Sequence, residues 1–422
     1  MDFYQKTTLD NGLRLLTARM PQTRSVSVSF FIGTGSRYED DARAGLSHYL
    51  EHLCFKGTQQ RPSAIDICSA IEGVGGLFNG GTDKELTVYW CKVAGAHLNM
   101  AIDVLVDMLL NSRCDPAEIE KERQVIIEEI NMVEDNPAQK VHMLIDGLLW
   151  PGHPLGRDVA GTRQSVAGLT REMMLGYLSG HYRPGNTVVA IAGDIDHDDM
   201  RAVITGALGR WANREAPPAY QPYTGGYARR VLIEKKDTEQ VQLCLALPGV
   251  SHFHPERFAL DLLNVILGEG MSSRLFTQIR DKLGLAYSIS SYADHFLDTG
   301  SLTVSAGVDV KNLRVAIRAI LEEIGKLKDG VPEAELTKAR ELSKGRLILR
   351  MEDSRAVAGW IGGQEILTGR ILSVEDVISI VDSITAEELR QLARDLLAGD
   401  RLCLAVVGPV SPDEPLEELL QL

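Results

Sequence analysis

The sequence predicts an α+β protein made of two homologous sandwich domains, each with helices on one side of a mostly antiparallel sheet. Three observations lead to this prediction: the length of the chain, an internal repeat, and a mixture of two hydrophobic periodicities. The 422 residues exceed the ~250–300 residues at which a single hydrophobic core stops growing. We therefore expect at least two domains.

Short apolar patterns of the first half recur in the second half at a nearly constant offset of 215 or 216 residues. The matched pairs are 26–30 with 241–245, 86–88 with 302–304, and 189–193 with 404–408. A single match of this kind is common. Three matches in register over about half of the chain are typical of a duplicated domain.

The segment between the two copies has the composition of a linker. Residues 216–226 are rich in Pro and Gly and show no periodicity, as expected where two domains are joined. We therefore expect a first domain over 1–215, a linker over 216–228 and a second domain over 229–422.

Within each half, runs of period two predict strands and runs of period 3.6 predict helices. The predicted strands are 25–32, 86–93, 187–192, 231–234, 241–247, 301–308 and 402–407. The predicted helices are 42–56, 62–74, 95–111, 116–134, 254–267, 311–328 and 332–350. Several strands alternate apolar with polar residues, which favours sheets with one covered face.

Composition argues against several classes of partner. The formal net charge is −14, so no strong electrostatic attraction to nucleic acid or to an anionic membrane is expected. The six cysteines are scattered without a C-x-x-C pair, which is typical of reduced core residues. The sequence shows no signal-peptide core and no run of about 18 apolar residues. We expect a cytoplasmic protein.

The pentapeptide His48-Tyr49-Leu50-Glu51-His52 is the most informative motif. In a helix, His48, Glu51 and His52 fall within one arc and the apolar residues occupy the other. Two imidazoles one turn apart can bind one metal ion, and in zinc peptidases with the H-x-x-E-H order the glutamate is the base. A catalytic zinc ion needs a third protein ligand, which must come from elsewhere in the chain.

A predicted helix over 118–134 offers two candidate acids. Glu122 and Glu129 interrupt an apolar stripe, whereas Glu128 lies on the polar side. Buried acids are costly unless they are paired or bind a metal. We assign Glu129 as the third ligand and Glu122 as a partner of a ligand, and pairing of either acid with an Arg at a helix interface is the alternative.

These motifs resemble the pitrilysin/insulinase family of zinc metallopeptidases, which includes the mitochondrial processing peptidase and its bacterial relatives. The resemblance rests on H-x-x-E-H followed by E-R-x-x-x-x-x-E over 122–129, with Glu129 lying 77 positions after His52. Further matching stretches are Phe55–Thr58, His153–Gly156 and Tyr182–Asn186. The resemblance implies one zinc ion per chain on His48, His52 and Glu129, and two domains that face each other across a cavity.

The resemblance also implies substrate-binding residues. Residues 75–82 are similar to the family's edge strand, to which an extended peptide adds through main-chain hydrogen bonds, with Gly80 where relatives usually carry Ala. The alternative is a Gly-rich turn in which Asn79 bonds locally. In the second half, which lacks its own H-x-x-E-H, the resemblance makes Arg280 and Tyr287 the pair that holds the substrate carbonyl.

These observations predict a zinc metalloendopeptidase that acts on peptides or unfolded segments, with Glu51 as the catalytic base. The alternatives are a non-catalytic structural or partner subunit of the same fold and a metal-dependent hydrolase for other substrates. Relatives of this length commonly dimerise, so we expect a homodimer or a heterodimer with an inactive homologue.

Overall fold

The computed structural model of the protein describes residues 3–212, 219–226, 230–397 and 401–421. Part of the linker predicted over 216–228 lies outside these residues. The described strands are β1 (Gln5–Thr8), β2 (Arg14–Arg19), β3 (Ser25–Ile32), β4 (Leu77–Thr82), β5 (Thr87–Ala94), β6 (Thr187–Gly193), β7 (Val231–Lys235), β8 (Gln240–Pro248), β9 (Ala286–His295), β10 (Gly300–Asp309) and β11 (Cys403–Gly408). The described α-helices are α1 (Leu46–Cys54), α2 (Ala64–Glu72), α3 (Leu98–Asn111), α4 (Pro116–Asp135), α5 (Pro137–Leu149), α6 (Arg163–Gly168), α7 (Arg171–His181), α8 (His197–Leu208), α9 (Arg257–Gly268), α10 (Leu313–Gly325), α11 (Glu333–Arg350), α12 (Ser354–Thr368), α13 (Val374–Ser383) and α14 (Ala386–Leu396).

The chain forms two compact units, and each unit takes one segment from the other half of the sequence. The first unit comprises Met1–Ile130, Asp158–Gln221 and Ile348–Ser373. The second unit comprises Asn131–Arg157, Pro222–Leu347 and Val374–Leu422. The segments that change sides include α12, which lies in the first unit, and α5, which lies in the second.

The first unit is built on a six-stranded sheet in the order β1-β2-β6-β3-β5-β4. Its strands pair antiparallel except β2 with β6, so the predicted mostly antiparallel sheet is confirmed. The central strand β3 points Val26, Val28, Phe30 and Ile32 into a core shared with α1, α3 and other helices. This is the covered face that the alternation of apolar residues predicts.

The other face of this sheet is covered as well, by α12. Phe31 of β3 packs with Val357, Ala358 and Ile361 there. A Cβ built on Gly362 would lie 2.2 Å from Phe31 Cε2, so only glycine allows this close approach. The prediction that helices cover one side of each sheet is therefore wrong, because a helix from the second half of the sequence closes the second face.

The second unit repeats the plan of the first. Its sheet has the order β7-β11-β8-β10-β9, with β7 and β11 parallel and the other pairs antiparallel. This matches β2-β6-β3-β5-β4 strand for strand and confirms the predicted duplication. Here α5 covers one face, packing on Cys244 and Ala405. On the other face, Leu247 and the α9 residues Leu260 and Leu263 line the same small cavity.

Two further observations concern the chain as a whole. All six cysteines are free thiols and five of them are buried, as the sequence predicts. No helix among the described residues is both long enough and apolar enough to cross a membrane.

Candidate metal centre

Helix α1 carries the H-x-x-E-H motif and is fixed by its apolar side. Tyr49, Leu50 and Leu53 are fully buried in the core of the first unit. The helix follows Gly45, whose φ of 93° is in the left-handed region. A Cβ at this position would lie 2.4 Å from the carbonyl oxygen of Ala160, so a side chain is excluded. Anchored in this way, α1 presents His48, Glu51 and His52 on its opposite side.

The N-terminus of α1 is capped by a buried acid, Glu39, that no motif in the sequence marks. Glu39 accepts hydrogen bonds from the backbone N–H groups of Gly45 at 2.8 Å and Ser47 at 2.6 Å. A carboxylate at this end of a helix satisfies free donors and complements the helix dipole. No sequence signal marks it, because Glu39 lies six residues before Gly45, outside the usual capping spacing.

Three side chains of the first unit converge as the motif predicts. Nε2 of His48 lies 3.7 Å and Nε2 of His52 lies 3.8 Å from the same Glu129 oxygen, Oε2. The described part of the chain contains one group of potential metal ligands, and it consists of these three residues. Tetrahedral zinc with bonds of ~2.0–2.1 Å separates its ligand atoms by about 3.3 Å, so two nitrogens and one carboxylate oxygen at these distances fit a zinc ion.

Glu129 and Glu122 lie on the same helix, α4, but differ in exposure. The Glu129 side chain is 40% exposed and the Glu122 side chain 6%. The expectation that both acids on the apolar stripe are buried is therefore met by Glu122 and not by Glu129. Glu122 Oε2 lies 3.0 Å from His52 Nδ1. This contact agrees with the predicted role, because a proton on Nδ1 leaves Nε2 free to bind a metal.

Lys56 completes this arrangement and was missed in the sequence. Its ammonium group lies 2.7 Å from Glu122 Oε1. Burial raises the pKa of Glu122, but the hydrogen bonds from His52 and Lys56 outweigh it, and the net pKa is lowered. Glu122 is therefore ionised at neutral pH. The available signal was spacing, since Lys56 follows His52 by one helical turn.

His48 is held in the neutral form that a metal requires. Burial, and to a lesser degree the neighbouring His52, lowers its pKa to about 4. Its Nδ1 is buried and has no hydrogen-bond partner among the described residues. His48 therefore lacks the carboxylate partner that His52 has.

Glu51 is largely buried and contacts strand β4. It is 9% exposed, and its Oε2 accepts a hydrogen bond of 3.0 Å from Thr82 Oγ1. Burial raises the pKa of Glu51, and the bond from Thr82 opposes that shift. A carboxylate with a raised pKa is better suited to accept and return a proton near neutral pH.

The predicted substrate residue Asn79 lies on the edge strand β4, in agreement with the expected strand and not with a turn. Its Oδ1 accepts a hydrogen bond of 2.9 Å from the N–H of Gly80. The local hydrogen bond of Asn79 that was expected for a Gly-rich turn is therefore present, but the residue lies on a strand. The role of Asn79 in substrate binding stays a prediction.

Arg280 and Tyr287 lie in the second unit and contact each other. Arg280 belongs to a π-helical segment, Phe276–Lys282, and its Cζ lies 5.3 Å from the centre of the Tyr287 ring. Tyr287 is 76% exposed. The two residues form an exposed cation–π pair, and their role in substrate binding stays a prediction.

Known proteins place this arrangement in a family. Residues 14–163 match the sequence model described as insulinase, peptidase family M16, and residues 168–343 match the model described as peptidase M16 inactive domain. A protein of Streptomyces coelicolor named an uncharacterized zinc protease is 38% identical over 413 residues, which cover 96% of this chain and 90% of that protein. Another so named, from Bacillus subtilis, is 35% identical over 406 residues, or 96% of this chain and 98% of that protein.

Solved structures agree on the fold. A protease from Helicobacter pylori superposes with a TM-score of 0.90 at 22% identity, covering 96% of this chain and 99% of that chain. A peptidase M16 inactive domain from Pseudomonas fluorescens superposes with a TM-score of 0.88 at 18% identity, covering 98% and 99%. Taken with the sequence matches, these findings show that the chain belongs to the insulinase family of peptidases, family M16.

Proposed function

We propose that this chain is a zinc metalloendopeptidase that hydrolyses peptides or unfolded protein segments, with one zinc ion and one active site per chain. The observation that carries the proposal is the convergence of His48, His52 and Glu129 beside Glu51, a buried glutamate on the helix that carries both histidines. Relatives named zinc proteases support the choice of metal.

The roles of the residues follow from their chemistry. His48, His52 and Glu129 would hold the zinc ion, which would supply Lewis-acid chemistry that polarises a peptide carbonyl and makes a water molecule more acidic. Glu51 accepts the proton of that water and returns it to the leaving amine. Glu122 holds His52 in the tautomer that binds metal, and Lys56 keeps Glu122 ionised.

Substrate would bind in an extended form. Among the described strands, β4 pairs with β5 alone, and an unpaired edge can accept a peptide through main-chain hydrogen bonds. Asn79 lies on this edge. Arg280 and Tyr287 are proposed to hold the substrate carbonyl. A stably folded protein cannot offer its backbone in this way, so unfolded segments are the proposed substrates.

The alternative of a non-catalytic subunit has one observation in its favour, because residues 168–343, most of which lie in the second half, match a model described as an inactive domain. That half lacks an H-x-x-E-H motif, however, and the first half retains both histidines, the base and the acidic ligand. The proposal of a single active site per chain accounts for both observations.

The test combines elemental analysis with cleavage of an unstructured peptide library. Glu51→Gln should keep stoichiometric zinc and lose cleavage by about 10²-fold or more, because an amide cannot accept the proton. Glu128→Gln, on the exposed side of α4, is the matched control and should change neither. Cleavage by Glu51→Gln at more than a few per cent of the wild-type rate would remove Glu51 from the role of base.

Location and assembly are further parts of the proposal. Six free and mostly buried cysteines support a reducing, cytoplasmic environment. We propose a homodimer or a heterodimer with an inactive homologue. Light scattering on the purified chain distinguishes the two, because a homodimer has twice the mass of one chain. A chain that is monomeric and becomes active only when an inactive homologue is added indicates a heterodimer.

A further inference from the structure

A buried carboxylate on a helix can adopt several rotamers unless a neighbour selects one. The helix fixes the Cα and Cβ atoms of Glu51, but three side-chain torsions still decide where the carboxylate lies. Proton transfer requires a heavy-atom distance of about 2.6–3.2 Å to the proton donor. The position of this carboxylate therefore matters more than that of an ordinary surface acid.

Strand β4 supplies the neighbour. Helix α1 packs against β4, and Gly80 and Thr82 are two residues apart, so both lie on the same face of the sheet. Thr82 Oγ1 donates to Glu51 Oε2 at 3.0 Å. A Cβ built on Gly80 would lie 2.7 Å from Glu51 Oε1 and 2.9 Å from its Cγ.

These two contacts have different effects. The absence of a side chain at Gly80 leaves the space into which the carboxylate fits. The Thr82 hydroxyl then gives the carboxylate a directed partner in that space. Since a largely buried carboxylate without a donor is costly, the arrangement with this bond is favoured over rotamers that lack it.

We propose that Thr82 is a positioning residue for the catalytic base: its hydroxyl fixes the Glu51 carboxylate against the strand that is proposed to bind the peptide. The inference rests on the proposed function and deepens it. Its consequence is that one strand, β4, sets the position of both reactants, the peptide through its edge and the base through the Thr82 side chain.

The experiment compares Thr82→Val, which keeps the shape and removes the donor, with Thr82→Ser, which keeps the donor. Valine favours strands, so the fold should persist, and Thr82→Ala is a second variant without a hydroxyl. In each full-length protein, zinc content, kcat and KM are measured on an unstructured peptide. A crystal structure then locates the Glu51 carboxylate.

In Thr82→Val and Thr82→Ala we expect unchanged zinc content, KM within about threefold of the wild type and kcat lower by about 10-fold or more, because small misplacements of catalytic groups are costly. The carboxylate should move or split between positions. Thr82→Ser should keep kcat within about threefold and the carboxylate in place.

Several outcomes would overturn the inference. Wild-type kcat and an unmoved carboxylate in Thr82→Val would show that the hydroxyl does not position the base. Equal loss in the Ser and Val variants, or loss of zinc, would show a structural role. If the zinc-loaded wild type cleaves nothing, the proposed function fails, and the crystal structures alone then decide whether Thr82 positions Glu51.

Discussion

At the scale of single residues, the two histidine ligands differ in the partner of their Nδ1 atoms. Glu122 contacts His52, and Lys56 contacts Glu122, so two charged residues in succession support this one ligand. His48 has no partner on Nδ1 among the described residues and is kept neutral by burial. The two histidines are therefore equivalent as ligands but not in their support.

This difference leads to a prediction for Glu122→Gln. The amide can still accept from His52 Nδ1, but the charge is lost and the Lys56 ammonium loses its counterion. We expect zinc affinity to fall by about 10–100-fold, the usual cost of losing an outer partner of a metal ligand. Competition with a chromophoric chelator measures the affinity.

The control for this variant is Glu128→Gln, on the same helix and exposed, which should bind zinc as the wild type does. An unchanged affinity in Glu122→Gln would mean that the negative charge of Glu122 contributes nothing to metal binding.

A second prediction at this scale concerns the third ligand. Glu129→Gln replaces an anionic oxygen by a neutral amide, so the purified variant should contain much less zinc and lack activity. Elemental analysis of the variant beside Glu128→Gln tests this. Near-stoichiometric zinc in Glu129→Gln would assign the third ligand to another residue.

At the scale of elements, the sequence was most informative where one helix carries its own pattern. The spacing of His48 and His52 and the stripe on α4 are local patterns, and the structure brings both histidines close to Glu129. Burial was expected of both acids of the stripe, but only Glu122 is buried.

Glu39 caps the helix that carries the two histidines. Lys56 contacts Glu122 from just beyond the end of that helix, and Thr82 contacts Glu51 from a strand. Such contacts depend on the packing of distant segments, which a single periodic pattern does not specify.

The limits of periodicity also explain the missed elements. Helix α12 contains Gly359, Gly362 and Gly363, and glycine weakens the expected helix propensity. Tertiary packing overrides that propensity, because Gly362 is what lets the helix approach Phe31. Strand β4, with two glycines, was expected only from the family resemblance and not from alternation.

A prediction at the scale of elements concerns the start of α1. Each carboxylate oxygen of Glu39 accepts a hydrogen bond from a backbone N–H at the start of α1. In Glu39→Gln one of these oxygens becomes an amide NH₂ group, which cannot accept, and the other becomes a weaker, neutral acceptor. Because Glu39 is buried, we expect a loss of about 1–3 kcal/mol in the free energy of unfolding, measured by urea denaturation.

Asp41→Asn, an exposed acid near the same turn, serves as the comparison and should cost much less. If both variants are equally stable, the cap contributes nothing to the stability of the helix that carries the metal ligands.

At the scale of the whole molecule, the two halves of the sequence exchange segments. The first unit includes Ile348–Ser373 and the second includes Asn131–Arg157. Each exchanged segment brings a helix, α12 or α5, that covers one face of a sheet. A cut in the linker therefore does not divide the chain into two complete units.

The attachment of α12 to the first unit is both apolar and charged. Glu365 is buried and pairs with Lys6 at 2.6 Å and Arg14 at 3.2 Å. Ser354 Oγ lies 2.9 Å from Ser27 Oγ of β3. A buried acid that loses both cations is strongly unfavourable, so this helix contributes specific contacts as well as cover.

The last prediction follows from this exchange. A fragment of residues 1–221 contains His48, His52 and Glu129 but leaves Phe31 and its apolar neighbours without α12. We expect this fragment to bind a hydrophobic dye, to unfold at lower urea concentration than the full chain, and to bind zinc more weakly. Addition of a peptide of residues 348–373 should reverse these effects in part, because it restores the covering helix and Glu365. The same peptide with Ile361→Asp, which places a charge against the sheet, should not. A fragment of 1–221 that matches the full chain in unfolding and in zinc affinity would show that α12 is dispensable for the metal centre, and that the first half of the sequence is sufficient to form it.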